Sequence, residues 1–431
     1  MDSDARRSTP MKTSVDLLIE NVGRLLPGHE AAIMGVSVAV DAGQIQAIGP
    51  AEKLAGLFDG SQTLDGTGKL LTAGFVDSHT HLVFGGERSG EFVQRCAGAD
   101  YEHIASEGGG IRASVRMTRA ADLQQLVDSA RPRLQRMMES GSTTIEIKSG
   151  YGLDLESELK MLRAIRQLSE EFPIEIVATF MGAHEIPDEW QHDRAEYIRI
   201  ICQQMIPQVA REGLAEFCDV FCERGVFDTQ ESTQILQAGL ENGLKPKIHA
   251  DELAASGGSL VAAQVGAISA DHLMEVTTEG IEALKSAGVV PTLLPGTTFY
   301  LRKSGYAPAR SLIDAGLEIA IATDRNPGSC TIESMLFIAG LSVMHMGLTP
   351  TEAIIAATRG GAHALGREAR CGTIETGKRA DLVLWDVPDE EVLIHEFANQ
   401  VPRIVCAAGR IVFDSHIASI ERSDLTSDQG V

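Results

Sequence analysis

The sequence predicts a (β/α)8 TIM-type barrel with a small β-sandwich domain built from both chain ends. Three observations carry that expectation. Eight short apolar runs alternate with helix-patterned stretches through the middle of the chain, hairpin-like strands recur only near its two ends, and 431 residues suffice for a barrel plus a satellite. The main alternative is an open doubly wound sheet. No GxGxxG follows the first strand and no internal repeat occurs, which disfavours the nucleotide-binding version of it.

Taken in order, residues 14–50 contain VDLLIEN and VSVAVDAGQIQAIG, where DAGQ supplies an Asp-Ala-Gly turn between two strands. The runs GFVDSHTHL, TTIEIKSG, IEIVATFMGAH, FCDVFCERG, PKIHADE, AISADHL, VVPTLLPG and EIAIATDRN then supply eight barrel strands. Helical spacing separates them: Leu155, Leu159 and Leu162 share one face, and TEGIEALKSAG ends at Gly288, a C-cap residue. The hairpin texture returns in RADLVLWDV and RIVCAAGRIVF, with Ala408-Gly409 as the turn. These boundaries assign residues 1–69 and 367–431 to the composite small domain and 70–366 to the barrel.

Composition narrows the function. With 37 Lys+Arg against 60 Asp+Glu the net charge is −23, which repels nucleic acid and anionic membrane surfaces. Apolar residues make up 44% and charged residues 23%, the balance of an ordinary globular protein with a core. Seven scattered cysteines without CxxC spacing indicate neither a disulfide framework nor a zinc ribbon. The N-terminal residues lack the apolar stretch of a secretion signal, so a cytoplasmic location is expected, with frayed ends before about residue 12 and after about 415.

The chemistry should lie where unusual polar residues meet the C-terminal ends of barrel strands. The first strand ends in Asp77-Ser78-His79-Thr80-His81; residues two apart on a strand point the same way, so His79 and His81 offer two imidazoles side by side. An isolated His-x-His can also be two unrelated polar residues. Here strand five ends in His249-Ala250-Asp251-Glu252, strand six in Asp271-His272 and strand eight in Thr323-Asp324. His79, His81, His249 and Asp324 then form an N3O set with room for a water, the composition of a hydrolytic metal site, whereas a structural zinc favours thiolates. His272 and Glu252 are left to move protons, with a packed histidine as the alternative for His272. Strand four ends in Cys222-Glu223 without a lysine, and Lys148 in KSGY reads as a charge partner or surface residue, so one metal is expected. The ligand types suit zinc and iron alike.

These segments carry a resemblance. GFVDSHTHLVFGGERSGEF, GGGI, EIKSGYGL, FMGAHEIP, KIHADEL, SADHL and ATDRNPGS together resemble the amidohydrolase superfamily of metal hydrolases. Within it they resemble the branch that opens 4-imidazolone-5-propanoate to N-formimino-L-glutamate in histidine degradation. The similarity runs over nearly the whole chain. It implies one divalent or trivalent metal, zinc or iron, on His79, His81, His249 and Asp324, and it adds substrate contacts. Arg88 matches the arginine that holds a substrate carboxylate; Tyr151 and His184 match further contact positions; Asn326, Gly328 and Ser329 match the segment that meets the amino-acid portion of the product. Surface placement of Arg88, loop packing of Tyr151 and His184, and a plain tight turn at NPGS are the alternatives.

The expected reaction is attack of a metal-activated water on the ring carbonyl, with His272 and Glu252, in either order, as base and acid, and Glu252 also near the substrate. A guanine- or cytosine-deaminase-like aminohydrolase is the alternative activity, disfavoured because a neutral base needs no Arg88 clamp. A non-catalytic scaffold is the alternative outside enzymes. A small-molecule substrate and a possible homodimer are the expected partners. His29, His103, His192, His345, His363, His395 and His416 are read as structural or surface residues, and Phe299 and Tyr300 as pocket-lining or packing.

Overall fold

The computed structural model describes residues 12–29, 31–98 and 108–418; His103 lies outside them, as do most of the two ends expected to fray. Eight parallel strands, β6 (Phe75–Asp77), β7 (Ser142–Lys148), β8 (Glu175–Ala183), β9 (Phe217–Cys222), β10 (Lys245–Ala250), β11 (Ser269–His272), β12 (Val290–Leu293) and β13 (Ala320–Ile321), lie side by side in chain order. All eight coincide with the apolar runs. The ring closes beyond the last strand residues, where Thr80 bridges Arg325 in parallel and the His81 N–H donates to the Arg325 carbonyl at 2.9 Å.

Alternation along each strand sorts the side chains. On β7, Ile145 and Ile147 face outward into the apolar layer shared with Leu159, Leu162 and Ile165 of the helix Leu155–Glu171. Glu146 and Lys148 belong to the opposite set and are fully buried. That helix starts where Asp154 accepts from the Ser157 N–H, and the helix Thr278–Ala287 ends at left-handed Gly288, as its sequence predicts.

The chain ends build a separate sheet. Its strands are β1 (Thr13–Leu26), β2 (Ile33–Asp41), β3 (Gln44–Pro50), β4 (Phe58–Asp65), β5 (Leu70–Ala73), β14 (Leu382–Trp385), β15 (Ile404–Ala407) and β16 (Arg410–Asp414). The order is β16-β15-β14-β5-β1-β2-β3, with β4 also paired to the long β1. Both predicted two-residue hairpins form. Ala42-Gly43 and Ala408-Gly409 have positive φ at both positions, the geometry that matches strand twist. The β5–β14 pairing joins the ends immediately before β6 enters the barrel. Among the described residues no helix is long and apolar enough to cross a membrane.

Candidate active site

The closing seam of the barrel assembles the site. Because the Asp324 N–H donates to the His79 carbonyl at 3.0 Å, the end of the eighth strand is registered against the His-x-His segment. Below the seam Asp77 accepts from the Thr323 amide and hydroxyl at 3.0 and 2.6 Å, and burial pushes this carboxyl up to about 7. Asp324 and His272 sit at φ +50° and +79°, a region that side-chain-bearing residues rarely adopt, so the surrounding bonds must hold them there.

Two of the three imidazoles are aimed from behind, whereas His81 Nδ1 is buried without a hydrogen-bond partner. His79 Nδ1 lies 2.6 Å from Asp271 Oδ2, and His249 Nδ1 lies 3.0 Å from Asp219 Oδ1. With Nδ1–H donated to a carboxylate, Nε2 is the lone-pair nitrogen turned inward. His81 Nε2 and His249 Nε2 are 3.3 Å apart, His79 Nε2 is 3.6 Å from Asp324 Oδ1, and His81 Nε2 is 3.9 Å from the same oxygen. A tetrahedron with metal–nitrogen distances of about 2.1 Å has edges of about 3.4 Å. His79 Nε2 is buried with no hydrogen-bond partner, a cost that a metal would relieve. Burial drives His79, His81 and His249 well below the usual imidazole range, keeping them neutral and able to ligate. Thr297 donates to Asp324 Oδ2 at 2.5 Å, leaving Oδ1 toward the imidazoles; burial pushes the Asp324 carboxyl up to about 6. His79, His81 and Asp324 form one group whose ligand atoms lie close enough to share a metal ion, and His249 joins His81 and His184, or His79 and His272, in two further groups.

Two more histidines border this centre. His272 Nδ1 is 3.7 Å from Glu252 Oε1, so the two groups expected to move protons face each other. Asp251, two residues after His249 in the sequence, accepts from the Gly257, Gly258 and Ser259 amides and caps the following helix. The His184 ring stacks on His81 at 4.8 Å, its Nδ1 3.0 Å from the Gly150 carbonyl, and burial lowers its pKa to about 4. Gly150 has φ +106°, and a Cβ there would come within 2.9 Å of His184 Nδ1, so only glycine fits. The Tyr151 ring lies 5.7 Å from His81; burial, with Asp324 nearby, raises its pKa and keeps the phenol protonated.

The remaining predicted contacts lie in loops. Arg88 donates to Glu91 Oε2 at 3.0 and 2.7 Å, and a Cβ on Gly328 would fall 2.1 Å from Arg88 Nη1, so the glycine makes room for the guanidinium. Asn326 Oδ1 accepts from the Gly328 and Ser329 amides at 2.9 and 2.7 Å, while its Nδ2 donates to the Asp324 carbonyl and to Ser329 Oγ. The side chain thus ties the NPGS turn to the back of Asp324.

Sequence reasoning missed the carboxylates that aim the histidines and the cations that hold those carboxylates. Lys148 is not at the surface: Nζ lies 2.7 Å from Asp219, 2.9 Å from Glu146 and 3.5 Å from Asp271, all completely buried. Burial opposes its charge, but the three carboxylates outweigh it and hold the ammonium above its ordinary range. Lys247 joins the same group through Glu146 at 3.1 Å. Charged residues at alternate positions of TIEIK, CDVF, KIHA and SADH were the available signal. Glu158 was also missed; its carboxylate receives the Gly150, Gly152 and Leu153 amides and shapes the loop carrying Tyr151.

The sequence pattern described as Amidohydrolase family matches residues 70–415. An imidazolonepropionase of Shouchella clausii is 49% identical over 84% of this chain and 81% of its own, and one of Geobacillus kaustophilus is 46% identical over 87% and 89%. The chain belongs to the imidazolonepropionase family of amidohydrolases. Such an enzyme hydrolyses carbon–nitrogen bonds. Imidazolonepropionases also share their fold with distant structures: a Xanthomonas campestris adenosine deaminase with bound zinc superposes with a TM-score of 0.70 over 97% of this chain and 99% of its own, at 19% identity. A Klebsiella pneumoniae 5-methylcytosine deaminase does so with 0.70 over 92% and 97%, at 15% identity. At that identity only the architecture is shared evidence.

Proposed function

We propose that this chain hydrolyses 4-imidazolone-5-propanoate to N-formimino-L-glutamate in histidine degradation, as a cytoplasmic enzyme carrying one zinc or iron. The observation that supports it best is the inward convergence of His79, His81 and His249 Nε2 with Asp324 Oδ1, beside Arg88, whose guanidinium rests against Gly328. Bound on these four residues, a metal ion supplies Lewis-acid polarisation of the ring carbonyl and a water acidic enough to attack at neutral pH.

The protein's own groups do the rest. His272 receives the proton of the attacking water and passes it to Glu252, 3.7 Å away, which delivers it to the ring nitrogen as the carbon–nitrogen bond breaks. Arg88 turns from Glu91 to grip the propanoate carboxylate, with the protonated Tyr151 hydroxyl donating to the same group. His184, neutral and with its Nδ1–H donated to the Gly150 carbonyl, accepts at Nε2 from a ring N–H, and Glu252 also meets the ring. The Asn326–Ser329 turn, with Gly328 at its centre, borders the amino-acid portion of the product. A deaminase acting on a neutral base would have no use for Arg88.

The test is the loss of imidazolone absorbance with freshly generated substrate, with metal quantified on the same sample. Wild-type protein with about one metal per chain opens the ring, His272→Ala loses nearly all turnover, and Arg88→Ala loses activity mainly through a raised KM. A fully metallated wild type that leaves the substrate intact rejects the assignment.

A further inference from the structure

Behind the carboxylate clamp lies a cavity of about 210 Å³, lined by the guanidiniums of Arg88, Arg95, Arg133 and Arg325 and by one carboxylate, Glu87. Four cations meet one carboxylate there, against the sign of the chain's net charge of −23. Arg88 and Arg325 are countered from outside the lining by Glu91 and Glu333. Arg133 is not: its guanidinium lies over the Phe84 ring at 3.7 Å and donates to the Leu82 carbonyl at 3.0 Å, with no carboxylate in ion-pair range among the described residues. Arg95 donates to the Gly328 carbonyl at 2.8 Å. A largely buried guanidinium held only by a carbonyl and an aromatic face is incompletely compensated, and an anion in the cavity would compensate it. Burial and the neighbouring Arg325 charge lower the Arg133 pKa to about 9, which still leaves it cationic at neutral pH.

We infer that this cavity is a second anion subsite, distinct from the metal side and sharing the Arg88 wall with it, that takes a small five-carbon dicarboxylate. The choice of ligand rests on the reaction proposed above: hydrolysis of the ring creates a second carboxylate on a molecule that already carries one. A dicarboxylate can engage two guanidinium forks at once, which the monoanionic substrate cannot. The cavity is smaller than the common range for drug-sized ligands, about 300–1,000 Å³, and suits a metabolite of few atoms. Arg88 acts on Tyr151 electrostatically as well as lining the cavity, so it stands at the boundary between the two regions.

The experiment is calorimetric titration of the full-length protein with glutarate, repeated with inorganic phosphate, on wild type, Asp324→Ala, Arg133→Met and Arg95→Met. Glutarate should bind wild type and Asp324→Ala alike, and at least about tenfold more weakly to Arg133→Met and Arg95→Met, the scale of a lost charge-assisted hydrogen bond. Arg95 lies on a partly exposed helix, so its variant decides the matter if Arg133→Met fails to fold. Binding that is absent from wild type, vanishes in Asp324→Ala, or ignores the arginine substitutions overturns the subsite; phosphate binding in place of glutarate overturns the dicarboxylate. Ring opening measured on the same samples separates the two proposals. If the substrate is untouched while glutarate binding keeps its Arg133 dependence, the assigned reaction fails and an anion site remains; if the ring opens and glutarate does not bind, only the subsite fails.

Discussion

The two sheets of this protein are filled in opposite ways. Leu17, Ile19, Val22, Leu25, Val38, Leu71, Leu382, Leu384 and Ile404 form an apolar cluster in the end-built sheet. Inside the barrel, beneath the histidine-bearing rim, the corresponding space holds Glu146, Lys148, Asp219, Lys247 and Asp271, all completely buried. An apolar core needs only volume and shape, and tolerates exchange among similar side chains. A buried ionic core tolerates little, because removing one partner strands the rest. Here the ionic core has a reason to exist: two of its carboxylates fix the tautomer of two imidazoles. Stability in one region is separable from function, and in the other it is not.

The largest expected effect tests the rim itself. Asp324→Ala removes the only anionic member of the proposed ligand set, and metal content by elemental analysis should fall well below one per chain, with kcat reduced by about a thousandfold or more. Next comes a paired test of the comparison. Lys148→Met leaves three buried carboxylates without their shared cation and should cost about 3–5 kcal/mol in denaturant unfolding; Leu25→Ala in the other sheet should cost about 2–5 kcal/mol as a cavity. Only the lysine variant should also change the ligand-field spectrum of the cobalt-substituted protein. A normal cobalt spectrum in Lys148→Met would mean that the ionic core is as separable as the apolar one.

A smaller effect concerns the aiming carboxylate itself. Asp271→Asn keeps the volume but no longer enforces Nδ1–H on His79, so metal affinity in a chelator competition should weaken about 10–100-fold, and because Asp271 also faces Lys148 and Lys247 the melting temperature should fall with it. The smallest concerns pH. Burial keeps the three imidazoles of the proposed ligand set neutral well below pH 6.5, so the proton that would leave on metallation is that of Asp324, whose carboxyl is raised to about 6. Affinity should therefore rise by about tenfold per unit as pH climbs toward 6 and level off above it. A slope steeper than one proton would place a charged imidazole in the metal-free site.

Much of this was legible because strands impose a period of two. His79 and His81 had to share a face, and every barrel strand announced itself as a short apolar run. The polar residues beneath the rim obey the same period, yet nothing local in CDVF or SADH says that Asp219 would meet His249 or that Asp271 would meet His79. Both contacts join residues on different strands, and their distances follow from barrel stagger. Lys148 illustrates the same limit: as one residue in KSGY it reads as a charge partner or a surface group, and only its enclosure by three strands decides between them. Glu158 lies in a helix-forming stretch and is buried because the Tyr151 loop folds back onto it.

The sequence alone therefore determined the strand count, the hairpin turns at Ala42-Gly43 and Ala408-Gly409, and the residue types that can ligate a metal, because these depend on backbone preferences and side-chain period over a few residues. The tertiary structure decided which nitrogen of each imidazole faces inward, where the barrel closes, and that four arginines from separate segments surround one cavity. Those outcomes depend on distances of a few ångströms between residues far apart in the chain, which no local pattern encodes.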